Sequence, residues 1–159
     1  MTDEIRKEIS LKASLDKVWA AISDAQQFGL WFGVRFDGPF VAGQPLKGVI
    51  VPTTVNDEVA AAQKPHEGTP FEIKVGELTP KTCFSFYWHP YAVDKGHDYS
   101  DEPMTVCRFM LSPVEGGVHL VITESGFDKL PEHRRHEAML MNAGGWAAQT
   151  KLIEAYLAR

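Results

Sequence analysis

The sequence has no apolar run approaching the roughly 18 residues that a membrane-spanning helix needs. Its opening, MTDEIRKEIS, lacks the apolar stretch of a secretory leader. A cytoplasmic location is the expectation from both. Cations are scarce: 16 Lys and Arg against 21 Asp and Glu leave a net charge of −5, whereas a binder of phosphate backbones clusters its basic residues. Nucleic acid is thereby excluded as a partner, and the Arg134-Arg135 pair is too small to change that. Cysteine is limited to Cys83 and Cys107, both in strand-like runs and, by parity, on opposite faces of a sheet, so no disulfide is expected. Gly-x-Ser-x-Gly, a Gly-rich phosphate loop and Cys-x-x-Cys are all missing, which removes several familiar nucleophile, nucleotide and redox sites. In HRRHE, His133, His136 and Glu137 share a helix face, but the His-Glu-x-x-His spacing needs a histidine where Leu140 stands. Neither a metal nor a cofactor is expected.

What is present is an ordinary globular composition, 44% hydrophobic and 23% charged over 159 residues, long enough for one domain spanning 1–159 with its own core. Ile5, Lys7, Ile9 and Leu11 alternate weakly, as in an edge strand. Ser14 is a good N-cap for LDKVWAAIS and Asp24 for AQQFGLWF, so two short helices should follow. Val18, Trp19 and Ile22 form the apolar side of the first. Period-two runs at about 34–38, 45–51, 70–79, 81–88, 103–112 and 117–126, broken by Gly- and Pro-rich turns, predict an antiparallel meander. Its inward faces carry Phe84, Phe86 and Trp88, then Thr105, Cys107, Phe109 and Leu111, then Val118, Leu120, Ile122 and Glu124. Two long segments interrupt it, 53–69 and 92–103; within the first, NDEVAAAQK has the length for about two helical turns.

After Pro131 the pattern is helical to the end, and the segment NAGGW places two adjacent glycines in mid-helix, each costing about 1 kcal/mol relative to alanine. Wound at about 100° per residue, a stripe centred on Asn142 collects Ala138, Met139, Gly145, Trp146, Gln149, Ile153, Tyr156 and Leu157. The centre of this otherwise apolar stripe is polar. Asn142, Gln149 and the inward Glu124 need partners if buried; they either bond one another and nearby main chain or meet a ligand. Together with the rings of Trp31, Phe32, Phe86, Trp88 and Phe109 they describe an apolar pocket with a few orienting groups, in which Gly145 leaves space. Phe40 and Phe84 add to the same ring-rich face. His89, with Tyr91, Asp94, His97 and Asp98 close in sequence, reads as a solvated loop rather than as an acid-base set.

The order of one strand, two short helices, a meander and a long last helix resembles the helix-grip fold of the START-like (SRPBCC) superfamily. The motifs ASLDKVWAAISDAQQFGLWF, FSFYWHP, TESGFDKLP and NAGGWAAQTKLIEAYL resemble, over nearly the whole chain, the family named after the activator of the heat-shock protein 90 ATPase, in its single-domain bacterial form. The resemblance implies an α+β fold in which a curved antiparallel sheet of about six or seven strands wraps around the C-terminal helix. It also implies a cavity between them that in relatives takes apolar molecules, and, in the eukaryotic co-chaperone, contact with a chaperone.

The sequence points first to binding of a small, mainly apolar molecule by Trp31, Phe32, Phe86, Trp88, Phe109, Glu124, Asn142, Gly145, Trp146 and Gln149, without a catalytic set. A chaperone-associated interaction module is the alternative, and it predicts an exposed apolar or charged patch outside the cavity. A cyclase- or hydratase-type enzyme, with Glu124 as acid or base, is the third class and predicts a solvent path to that carboxyl. Monomer and homodimer are both compatible with the residues.

Overall fold

In the computed structural model, which describes residues 4–92 and 96–159, the chain begins with β1 (Ile5–Leu11), then α1 (Leu15–Ser23) and α2 (Ala25–Phe32). Six strands follow: β2 (Val34–Phe36), β3 (Pro45–Ile50), β4 (Pro70–Thr79), β5 (Cys83–Trp88), β6 (Thr105–Val114) and β7 (Gly117–Ser125). A short helix α3 (Asp57–Gln63) sits between β3 and β4, and α4 (Glu132–Leu157) closes the chain. All seven strands form one antiparallel sheet in the order β1-β7-β6-β5-β4-β3-β2. This is the expected α+β helix-grip arrangement, with α4 against one face of the sheet and α1 and α2 beside it.

The helix starts are set as their capping residues predict. Ser14 Oγ accepts from Lys17 N at 3.2 Å, Asp24 Oδ1 from Gln26 N at 3.0 Å, and Asn56 Oδ1 from Val59 N at 2.9 Å, each relieving a donor the helix cannot satisfy itself. α2 stops at Gly33, whose φ of 103° belongs to the left-handed region that glycine enters without strain. On α1 the buried side is Val18, Ala21 and Ile22, while Trp19 is only half-buried: the small Ala21 lets the helix lie close, and the bulkier ring stays at the margin.

The parity of the strands holds. Phe84, Phe86, Cys107, Phe109, Val118, Leu120, Ile122 and Glu124 all face the core, and Cys83 lies on the other side of the sheet, buried there but unbonded to Cys107. Burial pushes both thiols above their ordinary value. For Cys83 the Glu77 carboxylate adds to the effect, with Arg108 opposing it; for Cys107 the shift is large and Glu124 contributes. Among the described residues no helix is long and apolar enough to cross a membrane.

The space between sheet and α4 is occupied by rings. Phe28, which the sequence pattern does not single out, is their hub: it lies 4.8 Å from Trp31 and from Phe32, 5.7 Å from Phe40, and 5.9 Å from Phe109, measured between ring centres. Trp31 is fixed in addition by its indole N–H, which donates to the Ala21 carbonyl at 2.9 Å. Offset and edge-on contacts of this kind add to the area the rings bury.

A buried carboxylate and the cleft above it

Glu124 ends the run of inward residues on β7, two positions before Gly126 turns the chain with a φ of 103° toward α4. It is wholly buried. The returning helix then lays Asn142 and Trp146 over it. Glu124 Oε1 accepts from Trp146 Nε1 at 2.9 Å and from Asn142 Nδ2 at 3.0 Å; Oε2 accepts from Trp88 Nε1 at 2.7 Å and from the Thr105 hydroxyl. The carboxylate thereby joins β5, β6, β7 and α4. Every partner is neutral, and the two indole N–H groups, which can only donate, fall one on each oxygen. A buried carboxylate is tolerable when its lone pairs are met in this way, and of the two readings open to Glu124 and Asn142 the structure contains the mutual bond.

Above this junction lies a cleft of about 70 Å³ lined by Phe32, Trp88, Asn142, Gly145, Trp146 and Gln149. That is small against the roughly 300–1,000 Å³ of a typical small-molecule pocket. Gly145 is exposed, and a Cβ added there would meet nothing within 4 Å; the same holds for Gly144. Gly145 thus stands at an opening to solvent and not over an enclosed chamber, because the rings below already fill the interior, while Gly144 faces solvent outside the cleft. Gln149 Nε2 donates to the Phe32 carbonyl at 3.3 Å, while its Oε1 is buried with no partner among the described residues.

Of the ten residues the sequence proposes for a site, the structure brings six to the cleft wall and puts Glu124 directly behind it. Trp31, Phe86 and Phe109 lie deeper, at most 1% exposed, and do not line it. Sequence reasoning misses Gln63. From the end of α3 its Nε2 donates to the same Phe32 carbonyl at 3.2 Å, and its Oε1 accepts from Thr53 N at 2.7 Å. Segment 53–69 is tied in this way to the end of α2, at the rim of the cleft. The only signal for it was the helical pattern of NDEVAAAQK.

Arg134 is a second omission. It reads as half of a weak basic pair, yet its guanidinium donates to Glu102 at 2.9 Å and to the carbonyls of Pro90 and Tyr91 at 2.9 and 3.0 Å. It also stands over the Tyr99 ring at 4.7 Å. The 12% exposure of Arg134 and 10% of Glu102 make this a largely buried pair. Burial raises the Glu102 carboxyl, but the hydrogen bond and charge of Arg134, with His97 assisting at 3.2 Å, outweigh it and hold the group below the ordinary carboxylate value. In the loop expected to be solvated, Asp98 accepts from Ser100 N at 2.9 Å, His89 Nδ1 is buried without a partner among the described residues, and Asp94 lies outside them. Among the described residues no three His, Cys, Asp or Glu side chains gather as a metal site would require.

The family model described as "Activator of Hsp90 ATPase homolog 1-like protein" matches residues 12–158. No curated protein matches the chain in sequence. Among solved structures, protein MLL2253 from Mesorhizobium loti superposes with a TM-score of 0.70 at 19% identity, over 98% of this chain and 97% of that one. The Aha1 dimer from Colwellia psychrerythraea gives 0.64 at 19% identity, over 97% and 95%. DynU16, a protein of the dynemicin biosynthetic locus, gives 0.68 at 20% identity over 99% of this chain; the chain spans about half, 48%, of DynU16. At these identities the likeness is one of fold.

Proposed function

This chain belongs to the family of activator of Hsp90 ATPase homolog 1-like proteins, and we propose that it is a binding module that takes a small, mainly apolar molecule at the cleft between α4 and the end of α2. The observation that carries this reading is the pairing of empty space at Gly145 with the unpartnered Gln149 Oε1. An unmet buried acceptor is costly, about 1–3 kcal/mol, and a ligand hydroxyl or amide N–H would meet it. The cleft takes only a tip of that kind, so the apolar body lies at its mouth, over the half-buried Trp88 and the outer edges of Phe32 and Trp146. Glu124 serves here as the fixed back wall that holds Trp88, Asn142 and Trp146 in place. Its oxygens are already engaged by four side chains and it has no exposed surface, which favours binding over acid-base chemistry.

Titrating the chain with a panel of small alcohols and amides, from propanol and cyclohexanol to benzamide, should shift the indole N–H resonances of Trp88 and Trp146 before others. Gly145→Leu fills the opening and should abolish the shifts, while Gly145→Ala should retain them. Absence of any response at millimolar concentrations, or an identical response in Gly145→Leu, overturns the reading.

A further inference from the structure

Over its middle, the outward face of α4 has no use in the cleft, yet it is neither charged nor covered. No charged residue occurs from 138 to 150. At about 100° per residue, the positions within about 60° of Gly144 in that stretch are Leu140, Met141, Ala147 and Ala148, and all are exposed, Leu140 at 62% and Met141 at 50%. Helical faces turned to water in globular proteins carry charge. The same line meets Glu137 one way from Gly144 and Lys151 the other, each seven residues off, both exposed, and neither in an ion pair among the described residues.

That spacing is self-complementary. We propose that this face binds a second copy of the chain, α4 against α4 in antiparallel register across a two-fold axis at Gly144. In such an isologous contact a residue and its opposite number are equidistant from the axis. Glu137 then meets the partner's Lys151 and the reverse, so both ion pairs form at once. Leu140 lies toward the partner's Ala147 and Met141 toward the partner's Ala148, large side chains against small. The absent side chain at Gly144, where an added Cβ would touch nothing within 4 Å, lets the axes approach more closely than the usual 8–10 Å at the crossing point. A helix so crossed needs a glycine at that position, and the cleft, a quarter-turn away, gives no reason for one. An unlike partner would need no such symmetry of opposite charges about the glycine. The contact is smaller than the roughly 1,600 Å² of a standard interface, so the dimer is weak and reversible.

Sedimentation equilibrium of the full chain at low ionic strength, from about 10 µM to 1 mM, should show monomer and dimer in exchange. Glu137→Lys and Lys151→Glu, each of which sets like charges against one another, should weaken association roughly tenfold. An equimolar mixture of the two variants, and the double variant, should return it to the original level. Gly144→Leu, which favours the helix itself, should abolish the dimer while leaving the circular dichroism unchanged. A chain monomeric throughout, as expected if the face serves a different protein, overturns the proposal. So does a dimer indifferent to the charge reversals.

Discussion

Two carboxylates meet α4, one wholly buried and one near the surface, and they are held by opposite means. Glu124, at the middle of the helix, has four neutral donors and no cation; Glu102, at its start, has the guanidinium of Arg134. The first sits in the core, where a flexible cationic side chain would have to be desolvated along with the acid it neutralises. Rigid indole, amide and hydroxyl donors avoid that cost, since their own N–H and O–H groups need an acceptor there anyway. The second lies near the surface and fastens a loop, so a long arginine that reaches two carbonyls as well as the acid suits it. One junction holds sheet and helix together; the other holds only the loop to the helix.

Removing each anchor would break that contrast. Glu124→Ala leaves two indoles, an amide and a hydroxyl unpaired in the core, at about 1–3 kcal/mol apiece before relaxation. We expect a loss of at least about 4 kcal/mol in chemical denaturation, within the single cooperative transition. Arg134→Ala should cost about 2–3 kcal/mol, because it strands the Glu102 carboxylate. Hydrogen exchange should rise in the loop residues near 97–102 and at the start of α4, with the sheet unaffected. Equal exchange throughout would show that the two junctions are a single unit.

The smallest effect is that of acid. The Glu102 carboxyl is held below its ordinary value by Arg134 and His97, so its contribution is present above the unfolded-state value and is lost as pH falls through the lower, folded-state one. Loop exchange should therefore increase as pH drops below the ordinary carboxylate range, and the increase should be missing in Glu102→Gln. A loop that loosens equally in both proteins would remove Glu102 from this role.

The contrast also explains what could be seen in advance. Glu124 was legible because strand parity has a period of two and its place after Val118, Leu120 and Ile122 leaves no choice of face. Asn142 and Trp146 were legible as a helical stripe, and a bond between Asn142 and Glu124 was one of two open readings; which reading holds depends on how far α4 slides along the sheet, and the Trp146 contact was not foreseen. The size of the space was hidden too. Phe28 packs from α2, an element whose short length gives little periodicity to read, and it helps to fill what the polar midline of α4 suggested was open. Gly145 was placed on the inner stripe by ideal winding, but it sits at the edge, where the stripe meets solvent. Arg134 and Gln63 act through main-chain carbonyls far away in sequence, and no residue pattern marks a carbonyl as an acceptor.

The sheet order has a consequence for how the chain reaches this state. From β2 to β7 every strand lies beside its neighbour in sequence, whereas β1 pairs only with β7, Ile5 opposite Glu124 and Leu11 opposite Val118. Joining them closes a loop comprising most of the polypeptide, an entropic debt that the local hairpins do not incur. β1, made long before the strand it pairs with, is thus the last to be seated, and until it docks the edge of β7 stands open.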